Sequence, residues 1–501
     1  MTAEAVRPAR AGVARNTVYN LVGQGSPFLA AVFAIPLLVR GLGTDRFGVL
    51  TIAWMVVGYF SLFDLGLGRA LTQVVSRTVR DDLTVPAPQL AWAALFTIGL
   101  LGLVGTMVLI SLAPWLVYSV LKIPPGLQLE TQRAFFVLAA AIPVVTATAG
   151  VVGILTSFQR FGLLNAIRVP MGMYTFLAPL AVLPFSHSLV AVTAVLVLGR
   201  IIALVIHFAF CRRHLPAFEP GWRHQYQGLK PLLNLGAWMT VSNLVSPLMV
   251  YLDRFVIGAM VSVTAVAYYA TPWEAVTKLL TIPAATMGVL FPAFAASHAA
   301  DRQRLVRLFD RGTRYIGLIL FPMVLFVAVF AHEILQLWLG DEFARQGTLV
   351  LQWLAIGVFA NSLAQVFFTL VQGVGRPDLT GRLHLAELPL YLSALWLAIK
   401  GYGIVGAAVV WTGRMALDGA VLLFLSSGLV GQRGAPVWRI AGGIAVAGVA
   451  LATPMLFPSL AARVVLGAVL LALYSAVAWS QVLAGDERTA IRRRVSGSVP
   501  A

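Results

Sequence analysis

Long apolar runs, broken by short clusters of charge, Gly and Pro, recur along the whole chain, and their length matches a bilayer rather than a soluble core. A helix needs roughly 20 mostly apolar residues to cross the hydrocarbon, where every backbone polar group must be satisfied within the segment. Runs of that kind fall near residues 16–40, 47–75, 89–120, 132–157, 162–184, 188–211, 231–258, 264–296, 313–338, 346–373, 380–400, 403–430, 436–458 and 460–483. Numbered as spans 1 to 14 in that order, they predict an all-α polytopic membrane protein of about 14 transmembrane helices. The basic segment Met1 to Arg15 leads into span 1. That run is too long for a secretory signal and continues into another span, so the expectation is an uncleaved first helix.

Composition supports the pattern. Hydrophobic residues make up 59% of the 501 and charged residues 11%, with a mean hydropathy of +0.87, well beyond a soluble globular chain. The net charge of +17 lies in short loops between apolar runs, not on one soluble face interleaved with aromatics, which argues against nucleic acid. One cysteine, Cys211, excludes an internal disulfide and a cysteine-rich metal cluster.

Charge also predicts orientation. The termini and even-numbered loops hold 25 of the 36 Lys and Arg, the odd-numbered loops hold 7, and Arg200, Arg254, Lys278 and Arg414 lie within spans. Lys and Arg accumulate in cytoplasmic loops, so both termini are expected in the cytoplasm. The opposite side takes Arg40, Arg46, Lys122, Arg133, Arg345, Lys400 and Arg463.

The chain also repeats itself. Asn20-Leu21 matches Asn234-Leu235, Arg40 matches Arg254, and Gly199-Arg200 matches Gly413-Arg414, all 214 residues apart. Gln159-Arg160-Phe161-Gly162 matches Gln372-Gly373-Val374-Gly375 at an offset of 213. An even number of spans per repeat gives two parallel six-helix lobes related by an axis along the membrane normal, a plan suited to alternating access. The expected domains are an N-terminal lobe at 12–211, a cytoplasmic linker at 212–230, a C-terminal lobe at 231–430, an extra helix pair at 435–483 and a basic tail at 484–501.

Ionisable groups at bilayer depth cost about 2.5–3.5 kcal/mol each on insertion scales, so they face a cavity or a partner. Arg200, Arg414 and Glu274 are expected near the midplane; Asp64, Asp418, Lys278 and Glu387 in the cytoplasmic half; Asp253 and Arg254 near the outer end of span 7. Arg200 and Arg414 sit in equivalent spans, 6 and 12, and could flank a central cavity, where a planar guanidinium suits phosphate. Two alternatives stay open: Arg414 with Asp418, and Lys278 with Glu274, each stand one turn apart and could be internal ion pairs. Asp64, in Asp64-Leu65-Gly66-Leu67-Gly68-Arg69, could carry a coupling proton or pair with Arg69. His187, His332 and His384 are scattered and show no metal-ligand spacing.

Several stretches resemble a known family. Asn16 to Gly23, Pro36-Leu37-Leu38-Val39-Arg40-Gly41-Leu42-Gly43, Phe47-Gly48-Val49-Leu50 and Asp64-Leu65-Gly66-Leu67 are similar to the first two helices of polysaccharide-type (Wzx-like) flippases. So are Phe158-Gln159-Arg160-Phe161, Leu252-Asp253-Arg254-Phe255-Val256-Ile257-Gly258 with Ala267-Tyr268-Tyr269, and Tyr402-Gly403-Ile404-Val405-Gly406. That family lies in the multidrug/oligosaccharidyl-lipid/polysaccharide exporter superfamily. The resemblance implies a two-lobed, V-shaped fold of fourteen helices that is not an enzyme. It implies a flippase moving undecaprenyl-diphosphate-linked oligosaccharide to the outer leaflet for surface polysaccharide, coupled to an ion gradient.

On that reading Arg200, Arg414, Arg69, Arg168 and Lys278 are candidates for the diphosphate or an acidic sugar. Asp64, Glu274, Glu387, Asp418 and Asp253 are candidates for coupling a proton or sodium ion, and no other cofactor is expected. Membrane lipids, a polysaccharide polymerase and glycosyltransferases are the implied partners. The alternatives are a multidrug or cation antiporter of the same superfamily, a lipid II flippase, and a membrane glycosyltransferase or polymerase. Span 1 lacks the arginine at depth found in lipid II flippases, and no outer loop exceeds about ten residues, short for a catalytic loop.

Overall fold

A computed structural model describes residues 10–60, 87–157, 161–214, 249, 251–431, 434–482 and 488. Among the described residues the chain is almost wholly helical and contains no strand. In chain order the helices are α1 (Arg10–Leu42), α2 (Thr44–Phe60), α3 (Ala87–Trp115), α4 (Pro125–Ala139), α5 (Ala141–Ser157), α6 (Phe161–Val182) and α7 (Leu189–His214). After helical residues 251–260 come α8 (Val263–Val276), α9 (Thr281–Ala300), α10 (Arg302–Leu339), α11 (Asp341–Gly373), α12 (Pro377–Val430), α13 (Ala435–Ala452) and α14 (Leu460–Val477). Nine helical stretches among the described residues are long and apolar enough to cross a membrane. Spans 2 and 7 run largely through residues outside the description.

Helix boundaries and span boundaries part company where the backbone bends without exposing polar groups to lipid. A 3-10 turn at Thr277–Leu280 joins α8 to α9, so they form one continuous apolar stretch, Val263–His298. Conversely, α12 contains two arms, spans 11 and 12, reversing at Gly403 with φ 57°. A left-handed backbone there favours glycine. Three residues on, a Cβ at Gly406 would lie 2.2 Å from the carbonyl oxygen of Ala398, so the second arm starts against the first only because Gly406 has no side chain.

The chain divides into two compact units, Met1–Ala270 and Thr271–Ala501. In the first, the odd-numbered loops meet at one end. Arg46 pairs with Glu130 at 3.1 Å, and the other Glu130 oxygen accepts the Leu189 N–H at 2.6 Å. Lys122 donates to the Met260 carbonyl, and Thr264 donates to Asp45. The turns after spans 1, 3, 5 and 7 thus share an end, the parity that strict crossing demands. Within this unit α6 lies against α1 so closely that a Cβ at Gly172 would meet the Pro27 ring at 2.7 Å.

In the second unit, α11 is the buried centre, with Val350, Leu354, Val358 and Phe367 enclosed between α10 and α12. Arg302 at the start of α10 donates to the carbonyl of Val430 at the end of α12, so two even-numbered turns meet. The outward faces are apolar, as lipid requires: Val465, Val469 and Leu473 of α14 are exposed.

Arg463, counted from the sequence with the odd-numbered side, lies near the start of α14 and is 5% exposed. Its guanidinium donates to Glu333 Oε1 at 2.6 Å, Glu333 Oε2 at 3.1 Å and the Val329 carbonyl at 2.6 Å. Both acceptors sit on α10 around its bend at Phe330. A guanidinium packed against apolar helices finds a carboxylate or stays in water, and here α14 is fastened to α10 by that choice.

Candidate functional site

The densest group of buried charge lies between the two arms of α12. His384, Glu387 and Tyr391 fall on one helical face of the first arm, at spacings of three and four; Arg414 and Asp418 lie one turn apart on the second. The reversal at Gly403 brings these faces together. Arg414 Nε stands 3.5 Å from Glu387 Oε2, and His384 Nε2 stands 3.7 Å from Asp418 Oδ1. The guanidinium carbon of Arg414 lies 5.3 Å from the Tyr391 ring centre, within cation–π range. From α11, Phe368 stacks on His384 with centroids 6.0 Å apart and planes 9° from parallel.

This group is enclosed but loosely bonded. Glu387 is 4% exposed and Asp418 7%. Both Glu387 oxygens, Asp418 Oδ1 and Arg414 Nε are buried without a hydrogen-bond partner among the described residues. Separations of 3.5 and 3.7 Å exceed ordinary hydrogen-bond lengths, so the charges attract without being locked.

Of the alternatives left open for Arg414, the pairing with Asp418 along one helix gives way to a cross-arm pairing with Glu387. His384, set aside in the sequence as a scattered histidine, belongs to the same group. The signal was its place three residues before Glu387, which puts the two on one helix face.

The other expected site residues divide three ways. Lys278 and Glu274 form the i,i+4 ion pair at 3.3 Å, each about one-third exposed, beside the turn between α8 and α9. Asp253 is fully buried in the first unit, accepting from the Tyr269 hydroxyl at 2.6 Å and the Arg254 N–H at 2.7 Å, while Arg254 lies over the Tyr251 ring. Those bonds hold Asp253 as an internal acceptor near the Lys122–Met260 end. Asp64 and Arg69 fall outside the described residues.

Arg200 and Arg168 are the cations left over. Among the described residues neither takes part in a hydrogen bond or ion pair. Arg168 is exposed on α6, and Arg200 is half-buried on α7. Just before Arg200, Gly199 sits against the Tyr174 ring, where a Cβ would come within 2.1 Å of Cε1. Tyr174 is held there by donating its hydroxyl to the Val195 carbonyl at 2.7 Å. The α6–α7 contact thus fixes the backbone from which Arg200 projects, and an unpaired, partly buried guanidinium is suited to an anionic ligand.

Comparison with known proteins gives three kinds of match. Residues 37–346 match the family model described as polysaccharide biosynthesis protein. A Shigella flexneri protein that carries the name of O-antigen transporter is 31% identical over 413 residues, covering 82% of this chain and 97% of that protein. Among solved structures, the lipid II flippase MurJ in an inward closed conformation aligns with a TM-score of 0.69 at 11% identity, covering 93% of this chain and 99% of that one. An inward-facing multidrug resistance MATE family transporter of the MOP superfamily aligns with a TM-score of 0.67 at 14% identity, covering 84% and 98%. The last two share the fold while their names give different cargoes, so cargo must be argued from the chain.

Proposed function

Because the chain belongs to the polysaccharide biosynthesis protein family, we propose that it is a flippase carrying lipid-linked oligosaccharide across the bacterial inner membrane for surface polysaccharide assembly. The relative that supports this cargo carries a transporter's name, not a catalyst's. The finer reading is an undecaprenyl-diphosphate carrier moved by alternating access, with both chain termini in the cytoplasm and polymerase and glycosyltransferases as neighbours.

One observation carries the cargo reading to residues: Arg200 is a guanidinium within a membrane span that nothing among the described residues neutralises. The diphosphate of the cargo is its natural counter-charge, and the guanidinium fork can donate to two phosphate oxygens at once. Arg168, exposed on α6, and, by its place in the sequence, Arg69 are further candidates for this basic set. Arg414 and Lys278 play a lesser part, because Glu387 and Glu274 already compensate them. Driving force comes from an ion gradient, with Glu387 and Asp418 as the coupling carboxylates and Asp64 and Glu274 as further ones; the bonds of Asp253 suit a fixed acceptor better than an exchanging one.

The test is export in cells whose own flippase gene has been deleted. Arg200→Ala should cut surface polysaccharide at least tenfold while the protein remains in the membrane at normal level; unchanged export removes Arg200 from the site. A multidrug antiporter of the same fold predicts the reverse phenotype on deletion, drug sensitivity with surface polysaccharide intact.

A further inference from the structure

The α12 group contains two carboxylates and one guanidinium, so with both carboxylates ionised and a neutral imidazole it is one positive charge short of balance. Among the described residues, the charged and titratable groups in contact with His384 or its partners are on α12: Glu387 on its own arm, then Asp418 and Arg414 on the other, with Tyr391 beside Arg414. From α11 the facing side chain is Phe368, which carries no charge. Among the described residues no ion pair or hydrogen bond ties His384, Glu387, Arg414 or Asp418 to a charged group of α10, α11 or α13. A surplus charge in such surroundings is costly, and the unbonded oxygens of Glu387 and Asp418 leave a cation room to bind.

We propose that His384 supplies the missing charge by taking up a proton, and that this protonation sets the pairing between the arms of α12. A metal ion fits less well. His384 Nε2 and Asp418 Oδ1, 3.7 Å apart, are spaced as two ligands of one ion could be, but a bound metal cation would lie beside the Arg414 guanidinium that already faces Glu387 at 3.5 Å, and like charges at that range repel. A proton needs only the ring. Uptake forms one N–H bond on the imidazole and breaks one O–H bond of a hydronium ion, leaving water; release on the other side reverses this, and no electrons are transferred.

With His384 charged, Asp418 has its own counter-charge and Arg414 is left to Glu387, so each arm holds the other. With His384 neutral, Arg414 must serve both carboxylates: Glu387 across the arms and Asp418 one turn along its own helix. The two states therefore differ in how firmly the arms are held, which a coupling ion needs if it is to bias a conformational equilibrium. The inference rests on the flippase reading and adds to it the coupling ion and its carrier.

The test begins with proton binding by the full-length protein in lipid nanodiscs without cargo, read with a pH indicator from pH 5 to 8. His384→Gln should bind about one proton fewer per chain across that window. Asp418→Asn, which keeps the ring but removes its acceptor, should move the same step to lower pH without changing its size. Equal proton counts for wild type and His384→Gln would overturn the proposal. So would proton release on adding millimolar sodium or zinc that disappears in His384→Gln, because a metal would then be the occupant. Cargo is scored separately: if deleting the gene leaves surface polysaccharide intact while the His384 step is present, the flippase reading fails alone. If deletion abolishes export while the step is absent, this inference fails alone.

Discussion

Arg200 and Arg414 stand 214 residues apart at matching places of an internal repeat, each preceded by glycine, yet their surroundings have diverged. On α7, Gly199 is pressed against the Tyr174 ring and Arg200 has no partner among the described residues. On α12, Gly413 has open space where its Cβ would be, and Arg414 is met by Glu387 and Tyr391. Duplication preserved the residue without preserving what it does. One cation has been drawn into the protein's own charge balance, and the other has no counter-charge among the described residues.

The strongest challenge to that contrast is Glu387→Gln. It takes away the carboxylate that faces the buried Arg414 guanidinium across the arms and leaves only Asp418 on its own helix, and breaking such pairs from one side costs up to about 3–5 kcal/mol. The melting temperature should fall clearly, whereas Arg200→Gln should leave it in place; matching melts for the two variants would erase the distinction. Next in size is the effect on transport. Arg200→Ala should reduce export at least tenfold and up to about a hundredfold, the equivalent of one charge-assisted hydrogen bond at about 1.5–3 kcal/mol. Arg200→Lys should recover part of that loss, since it keeps the charge but not the fork.

The paired glycines sharpen the comparison further. Gly199→Ala must displace Tyr174 and should cost roughly 1–3 kcal/mol, while Gly413→Ala should stay within about 0.5 kcal/mol of wild type; thermal unfolding of the two variants reads both. Smallest is Glu274→Gln. Its pair with Lys278 is about one-third exposed, so its loss should shift stability by no more than about 1 kcal/mol.

How much of this the sequence reveals depends on the reach of each interaction. Apolar length and loop charge are local quantities, so the helical class, most spans and the convergence of odd-numbered turns in the first unit could be read directly. Glu274 with Lys278 was equally legible, because one helical turn fixes their distance. Arg414 with Glu387 was not. They are 27 residues apart across a reversal at Gly403, and which faces meet depends on the register of that turn. His384 was missed because a single histidine carries no periodic signal until its neighbour Glu387 is known to face a carboxylate and a guanidinium on the other arm. The burial of Arg463 was not legible either, because only the packing of α14 on α10 brings it to Glu333.

That last contact has a consequence for how the protein is made. Glu333 emerges from the ribosome 130 residues ahead of the arginine that neutralises it, and at about 5–20 residues per second the interval is roughly 6–26 s. Throughout that time the carboxylate must stay hydrated or sheltered by the insertion machinery. A nascent chain that stops before Arg463 therefore displays an unmet acidic group, a mark by which membrane quality control could tell unfinished copies from complete ones.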